Sequence, residues 1–304
     1  MSWAQRSALD AALHRAPQGS GPQPVEQMRA AFAAFMGTFP IPDDVQRAPT
    51  ELAGRPAVLV EPEGNAQPGT ILYFHGGSFS LGSPQTAMVL TANLVRRTRV
   101  RAISLDYRLA PEHPFPAAIE DCVAAFRSLL DSDIDPASIV FAGDSAGGGL
   151  TVTTCLAARD AGLPKPAAIA AFSPGLDHTR SGASMITKEG IDPFFTGAGL
   201  GHTGELYLGG QDPNHPLLAP AVYADLSGFP PILLQVGTNE LLLDDSVRLA
   251  QRAREVDVDV ILDVTAAVPH VFQAFLGTLD EADQALDRAA LFLTQHLHGH
   301  GHGR

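Results

Sequence analysis

The chain has little of several things that would define a protein class on their own. Among its 304 residues there are only two cysteines, Cys122 and Cys155, too few for a disulfide-stapled domain. Both lie in helical patterns among small apolar residues, so we expect buried, reduced thiols. Basic side chains are also scarce: 20 lysines and arginines face 33 acidic residues, a formal net charge of −13. Such an acidic surface repels nucleic acids and anionic lipids, so neither is expected as a partner.

Long apolar runs are absent as well. No window approaches the roughly 18 consecutive apolar residues of a transmembrane helix, so no stable membrane association is expected. Residues 1–17 lack the basic start and apolar stretch of a secretory signal, which predicts a cytoplasmic location. What the chain does have is 45% hydrophobic and 17% charged residues, a balance typical of a globular protein with a large core.

Short runs rich in β-branched residues alternate with helical stretches from residue 52 onward. The strand candidates are 56–60, 70–74, 100–105, 138–142, 167–172, 231–236 and 258–264, and the helix candidates lie near 85–97, 116–130, 146–161, 244–256 and 282–297. Strands that alternate with helices predict βαβ units. The fold class is therefore α/β, with a mostly parallel sheet buried on both faces.

Two regions fall outside this alternation. Residues 2–15 and 24–37 are predicted to form two short helices. Residues 174–230 are rich in proline and glycine and show no obvious strand. A long insertion between core strands is more often a cap than a structureless loop. We therefore expect N-terminal cap helices within 1–40, and a catalytic domain over 41–304 that carries the cap insertion.

A Gly-x-Ser-x-Gly pattern follows one strand candidate and opens a helix. Gly143 and Gly147 flank Ser145 in the sequence VFAGDSAGGGL. In this context the glycines permit a sharp turn that exposes the serine hydroxyl, and the helix N-terminus favours negative charge beside it. The alternative is a glycine-rich turn with an incidental serine. The strand-turn-helix context favours Ser145 as a nucleophile.

A second motif, HGG, follows another strand candidate about 70 residues earlier. Acyl transfer builds negative charge on a former carbonyl oxygen, and glycine lets backbone amides approach it closely. We predict an oxyanion hole formed by the amides of Gly76, Gly77 and Ala146. His75 is expected to hold this loop in place through hydrogen bonds rather than to act as a base. The alternative is an ordinary glycine turn.

A serine hydroxyl needs a base to remove its proton. The histidines that follow Ser145 include His270, which comes soon after the last strand candidate and lies within reach of the serine. The others before the C-terminal tail, His178, His202 and His215, fall in the cap insertion and are expected to be polar cap or surface residues. The base is therefore assigned to His270.

An acid must orient the base, and in this fold it precedes the histidine in the chain. The loop after strand candidate 231–236 offers Glu240, Asp244 and Asp245. The two aspartates have the position of a first helical turn, where carboxylates stabilise the helix dipole. The acid is therefore assigned to Glu240, which would fix the imidazole tautomer and stabilise the imidazolium.

Together these segments resemble the hormone-sensitive-lipase-like family of bacterial esterases, which belong to the α/β-hydrolase superfamily. The matching stretches are HGGSF at 75–79, DYRLAPEHPFPAA at 106–118, GDSAGG at 143–148, NELLLDDS at 239–246 and PHVF at 269–272. The resemblance implies an eight-stranded core and a cap built from the N-terminal helices and the insertion. It also implies short-chain acyl esters as substrates and no cofactor, and it is compatible with a homodimer.

Two positions depart from the pattern of that family. The third glycine of the oxyanion loop is replaced by Ser78, and the usual aspartate of the acid position is replaced by Glu240. The large apolar side chains of the cap segments are Phe32, Phe35, Phe194 and Phe195. They either pack the cap onto the core or line the substrate pocket, and in the second case they would favour short acyl groups.

Three other functions remain open. A lactonase, an amidase or deacetylase, or an acyltransferase would use the same triad. A catalytically inactive ligand-binding protein on this fold is disfavoured, because all the catalytic residue types are present. Four histidines in the C-terminal tail, His296, His298, His300 and His302, could bind a transition metal in extended form. Because no rigid element frames them, we predict no metal site.

Overall fold

A computed structural model describes residues 2–15 and 23–298, and eight strands within them form one sheet. The strands are β1 (Val45–Leu52), β2 (Arg55–Pro62), β3 (Gln67–Phe74), β4 (Val100–Leu105), β5 (Ile139–Asp144), β6 (Ala168–Phe172), β7 (Ile232–Asn239) and β8 (Val260–Pro269). Their order across the sheet is β1-β2-β4-β3-β5-β6-β7-β8. Strands β3 to β8 run parallel, and β1 and β2 pair antiparallel. The predicted α/β fold and the eight-stranded core are confirmed.

Helices cover both faces of this sheet. In chain order the α-helices of the described residues are α1 (Ser2–Arg15), α2 (Val25–Met36), α3 (Met88–Thr98), α4 (Ala117–Asp131), α5 (Ala146–Asp160), α6 (Ser184–Thr187), α7 (Gly197–Leu208), α8 (Pro220–Tyr223), α9 (Leu243–Glu255) and α10 (Asp280–His298). Helices α4, α5 and α9 pack on one face, whereas α3 and α10 pack on the other.

Strand β3 shows why the core strands are hydrophobic along their length. Successive side chains of a strand point to opposite faces. Leu72 and Phe74 pack against the α4 and α5 side, whereas Ile71 and Tyr73 pack against the α3 and α10 side. All four are fully buried. A run such as TILYF therefore has consecutive apolar residues instead of alternating ones, because helices cover both faces of a parallel sheet.

Strand β1 was not predicted from the sequence. It is an edge strand, and of its residues only Val45 is buried. With one side chain in the core there is no apolar alternation to detect, and Pro49 is a residue that sheets tolerate mainly at edges. The strand is held by antiparallel pairing with β2, so its position depends on a neighbour rather than on its own pattern.

Where the structure describes them, the segments predicted to form the cap contain helices and no strands. Helices α6, α7 and α8 lie within 174–230. At the N-terminus α1 buries Leu9, and α2 has no buried residue. The two N-terminal helices therefore lie on the surface of the core, whereas the insertion also contributes core residues such as Tyr207 and Leu218.

Several further predictions can be compared with the described residues. Cys122 and Cys155 are both buried and free, as expected. Over the described ranges, no helix combines the length and hydropathy needed to cross a bilayer, and no group of three or more histidine, cysteine, aspartate or glutamate residues is arranged to hold a metal ion. Of the four tail histidines, for which no metal site was predicted, His300 and His302 lie outside the described residues.

Candidate active site

The turn after β5 places Ser145 at the carboxyl edge of the sheet. Ser145 has a positive φ of 52° and lies between the end of β5 and the first residue of α5. A Cβ atom at Gly147 would collide with the carbonyl oxygen of Phe74, so this position requires glycine. Holding a serine at a positive φ costs of order 1–3 kcal/mol. The packing of α5 against β3 and β5 maintains that strain.

Two further loops bring an acid and a histidine to the same edge. Glu240 and His270 each directly follow the last residue of a strand, β7 and β8 respectively. Neighbouring parallel strands end side by side, so the three loops converge. His270 Nε2 lies 2.9 Å from Ser145 Oγ, and His270 Nδ1 lies 2.8 Å from Glu240 Oε2. The structure thus joins Ser145, His270 and Glu240 in one hydrogen-bonded row, and all three are buried.

The rival acids of the sequence analysis point elsewhere. Asp244 accepts a hydrogen bond from the Ser184 amide, and Asp245 accepts from the amides of Leu176 and Asp177. Both aspartates lie in the first turn of α9, as the sequence predicted. They attach the start of the cap insertion to the core, and neither contacts His270.

Ser173 is a residue of this site that sequence reasoning missed. Its hydroxyl donates to Glu240 Oε1 over 2.8 Å and accepts from the amide of Val271 over 3.0 Å. Glu240 Oε1 also accepts from the Gly237 amide at 2.5 Å. These bonds leave Oε2 to face His270. A lone serine after a strand gives no sequence signal for this bridging position.

Asp192 was also missed, and it ties the cap insertion to the acid loop. Its Oδ1 accepts from the amides of Phe194 and Phe195, and its Oδ2 accepts from the amide of Leu241. The Asp192 side chain is buried. It therefore fixes the two phenylalanines relative to the residue next to Glu240.

The HGG loop runs beside Ser145, and its residues have different surroundings. The backbone of Gly76 lies against the buried carboxyl of Asp144, since a Cβ atom at Gly76 would collide with Asp144 Oδ2. That carboxyl accepts a hydrogen bond from the Tyr73 hydroxyl at 2.7 Å. Burial raises the pKa of Asp144 to about 6, although the bond from Tyr73 opposes the rise. Among the described residues, the amides of Gly77 and Ser78 donate to no other protein group. They are free to bind an oxygen at Ser145.

His75 has the structural position that the sequence predicted. Its Nδ1 lies 2.8 Å from the Gly76 carbonyl oxygen, and its ring stacks on Tyr107 with centroids 4.2 Å apart. The Tyr107 hydroxyl donates to the His75 carbonyl oxygen. Burial lowers the pKa of His75 to about 4, so the imidazole is neutral at pH 7 and holds the loop.

The electrostatics of the site favour a protonated His270 more than water does. Burial by itself lowers the pKa of His270, but the hydrogen bond and charge of Glu240 outweigh it, with further contributions from Asp192 and Asp144. The net pKa lies above the ordinary 6.5. His270 can therefore accept a proton from Ser145, and the neighbouring carboxylates stabilise the resulting imidazolium.

An apolar cavity of about 250 Å³ opens onto Ser145 and His270. All four phenylalanines of the sequence analysis line this cavity, Phe32 and Phe35 from α2 and Phe194 and Phe195 from the insertion. Phe195 packs edge-on against His270 at 4.8 Å between ring centroids. We call this space the apolar cavity. Six of its fifteen lining residues come from the cap segments, and the other nine come from the carboxyl ends of the strands of the sheet and the loops that follow them.

Comparisons with known proteins agree with this arrangement. Residues 71–274 match the family of the α/β hydrolase fold. The chain is 43% identical over 224 residues to an acetyl-hydrolase of Streptomyces hygroscopicus, spanning 74% of this chain and 75% of the relative. It is 35% identical over 272 residues to an esterase of Acinetobacter venetianus, spanning 88% of each.

A solved structure extends the likeness to nearly the whole chain. A hormone-sensitive lipase from a metagenome library superposes with a TM-score of 0.91 at 40% identity, and the match covers 98% of both chains. The chain belongs to the α/β-hydrolase family, among its hormone-sensitive-lipase-like esterases, and is a serine carboxylesterase.

Proposed function

We propose that this protein hydrolyses short-chain carboxylic esters through an acyl-enzyme on Ser145, with His270 as general base and Glu240 as the orienting acid. The observation that carries the proposal is the continuous row Ser145 Oγ–His270 Nε2 and His270 Nδ1–Glu240 Oε2, with separations of 2.9 and 2.8 Å. Such distances are those of a nucleophile activated by a base that is itself held by a third group.

Each step uses a group already in place. Ser145 Oγ attacks the ester carbonyl carbon while His270 Nε2 takes its proton. The tetrahedral intermediate collapses, and the leaving alkoxide takes that proton from His270. Water then attacks the acyl-enzyme and gives a proton to His270. The second tetrahedral intermediate collapses, Ser145 Oγ takes that proton back from His270, and the carboxylic acid departs. Glu240 keeps Nδ1–H oriented and stabilises the imidazolium in both halves.

The negative charge of each tetrahedral intermediate needs amide donors. From the sequence we expected Gly76, Gly77 and Ala146. Because Gly77 and Ser78 line the apolar cavity at Ser145, whereas Gly76 lies against the Asp144 carboxyl, we assign the oxyanion hole to Gly77, Ser78 and Ala146. Ala146 is the first residue of α5, where the amide has no partner within the helix and the helix dipole favours an anion.

Support for short acyl groups comes from the size of the apolar cavity and from its four phenylalanines. Each additional methylene buried in such a cavity contributes roughly 0.8 kcal/mol until the chain meets the wall. The preference for short chains is the part of the proposal that depends on the cap rather than on the row.

A turnover panel tests the reaction class. We would measure kcat/KM for p-nitrophenyl esters from acetate to palmitate, together with lactones, anilides and alternative acyl acceptors. We expect short-chain esters to be the best substrates. Faster turnover of lactones or anilides, or preferred transfer to an acceptor other than water, would replace the proposal by a lactonase, an amidase or an acyltransferase with the same row.

A further inference from the structure

A second, smaller cavity meets the apolar cavity at Ser145. Its free volume is about 30 Å³, and its lining includes Ser145, Ala146, His178, Arg180, Thr203 and Gly204. A water-sized group needs roughly 10–15 Å³ of such volume, so the space admits a group of a few atoms. We call it the Arg180 pocket. Nothing in the row of Ser145, His270 and Glu240 requires it.

Among the described residues, Arg180 is the one charged side chain that lines this pocket. Its side chain makes one hydrogen bond within the described part of the chain, a long one of 3.5 Å from Nη2 to the carbonyl oxygen of Leu200. It forms no ion pair with any carboxylate of the described residues. A part-buried guanidinium carries five N–H donors, and most of them lack an acceptor here. None of its nitrogens is among the buried polar atoms that lack a partner in the described residues, so these donors are accessible. An anion in the pocket would accept charge-assisted hydrogen bonds from them.

The nearest acids do not neutralise Arg180 by contact, because they are committed to other groups. Asp177 pairs with Arg248 at 2.9 Å and accepts from the hydroxyls of Thr179 and Ser181. Asp245 accepts the two backbone amides described above. Both lie close enough to influence Arg180 electrostatically, yet neither lines the pocket.

His178 adds a second polar group at the same wall. Its Nδ1 is buried and has no hydrogen-bond partner among the described residues. Burial, assisted by the charge of Arg180, lowers the pKa of His178 to about 3, so the ring is neutral at pH 7. A Cβ atom at Gly204 would lie 3.5 Å from Arg180 Nη2 and 3.9 Å from His178 Nδ1. The two polar groups therefore converge over a glycine of α7, where no side chain fills the space between them.

We infer that the Arg180 pocket binds an anionic group of the substrate, so that the preferred esters carry a carboxylate on one side of the ester bond and an apolar group on the other. This inference rests on the proposed function. The apolar group would occupy the apolar cavity, and the carboxylate would accept hydrogen bonds from Arg180. The protein as a whole carries a net charge of −13 and repels anions. A carboxylate ester would therefore be favoured only where Arg180 offers it a local positive charge.

A purely structural role for Arg180 predicts a different outcome. Its bond to Leu200 attaches the segment after β6 to the start of α7, and loss of that bond would slow the turnover of charged and neutral esters alike. A binding role affects only the charged ester. The ratio of the two rates therefore separates the alternatives.

The test compares isosteric pairs at pH 8. For an anion on the acyl side, the pair is monoethyl succinate and ethyl succinamate, followed by ethanol release. For an anion on the alcohol side, the pair is the butyrate ester of 3-hydroxybenzoate and that of 3-hydroxybenzamide. We expect the wild-type protein to prefer the carboxylate over the amide by roughly tenfold or more in one of the two pairs, the advantage of a charge-assisted hydrogen bond.

Variants then assign the preference. Arg180→Met should abolish it while the amide ester is still hydrolysed, and Arg180→Lys should retain part of it. Arg254→Met is the matched control, since it removes the same charge from an exposed position on α9 and should leave the ratio unchanged. Equal rates within both wild-type pairs would overturn the inference, even if Arg180→Met failed to fold. So would a preference that survives in Arg180→Met. Turnover of the neutral amide esters reports separately on the proposed function.

Discussion

The loops of the sheet and the segments of the cap meet at Ser145, but they are held in different ways. Helix α5, which follows the nucleophile, is buried along most of its length, whereas α2, which lines the apolar cavity, has no buried residue. Glu240 is fully buried and accepts three hydrogen bonds, from Ser173, Gly237 and His270. Phe35 remains 37% exposed and is placed mainly by contacts with other aromatic rings.

This contrast separates the residues that carry out the reaction from those that determine which ester is bound. Groups that move protons must keep their separations within a few tenths of an ångström, and the parallel strands provide such positions. Groups that bound a pocket tolerate more movement, and surface segments provide them. Substitutions in the sheet loops should therefore lower turnover of every ester, whereas substitutions in the cap should change which esters are preferred.

The largest expected effect is at the nucleophile. Ser145→Ala should lower kcat by roughly 10⁴-fold or more for all esters, because the members of a triad act as a unit. The fold should persist, since only one oxygen atom is removed. Steady-state kinetics with circular dichroism as a folding control measure both points. A variant that retains a tenth of the wild-type activity would rule out the assignment.

A somewhat smaller loss is expected at the acid. Glu240→Ala should lower kcat by roughly 10³-fold or more, because His270 loses the group that fixes its tautomer. Asp244→Ala is the matched control: this neighbouring carboxylate accepts from the Ser184 amide and does not contact His270. The assignment is contradicted if the Asp244 variant, with its folding verified, is the more impaired of the two.

Below the pKa of His270, each further drop of one pH unit should lower kcat/KM by about tenfold. Only the neutral imidazole of His270 can accept the proton of Ser145, so kcat/KM falls as pH drops below its pKa. That pKa is raised, so the loss begins at a higher pH than the ~6.5 of a free histidine. A pH–rate profile from 5 to 9 measures it. A profile that is flat between pH 5 and 8, with chemistry rate-limiting, would exclude His270 as the base.

The cap should produce the smallest effect, and one that depends on the ester. In the wild-type protein kcat/KM should rise from acetate to about butyrate or hexanoate, by up to roughly fourfold per methylene, and then fall. Phe35→Ala enlarges the cavity and should move the optimum to longer chains with little effect on acetate. Ile186→Ala, at an 82% exposed position of α6, is the control. A wild-type preference for palmitate over butyrate would refute the bounded cavity.

The sequence predicted the fold and the residues that meet at Ser145 because they follow strands with strong patterns. Ser145, Glu240 and His270 each follow a buried strand, and parallel strands end at one edge. Their catalytic roles stay a prediction. Strand β1 was not predicted, because it buries only one residue and so shows no apolar pattern. The roles of Ser173, Asp192 and Arg180 depend on loops that fold over one another, and the position of Gly76 against Asp144 depends on how the HGG loop packs on the turn after β5. Such contacts leave no periodic trace in a sequence.

The most direct test of the account is covalent trapping of the nucleophile. A fluorophosphonate reacts with a serine only where a base and an oxyanion hole activate it. We expect stoichiometric labelling of the wild-type protein, with the mass increment located on the peptide that contains Ser145 and with ester turnover lost in parallel. Ser145→Ala should remain unlabelled. Labelling at another residue, or full ester turnover by a protein labelled at Ser145, would contradict the central claim.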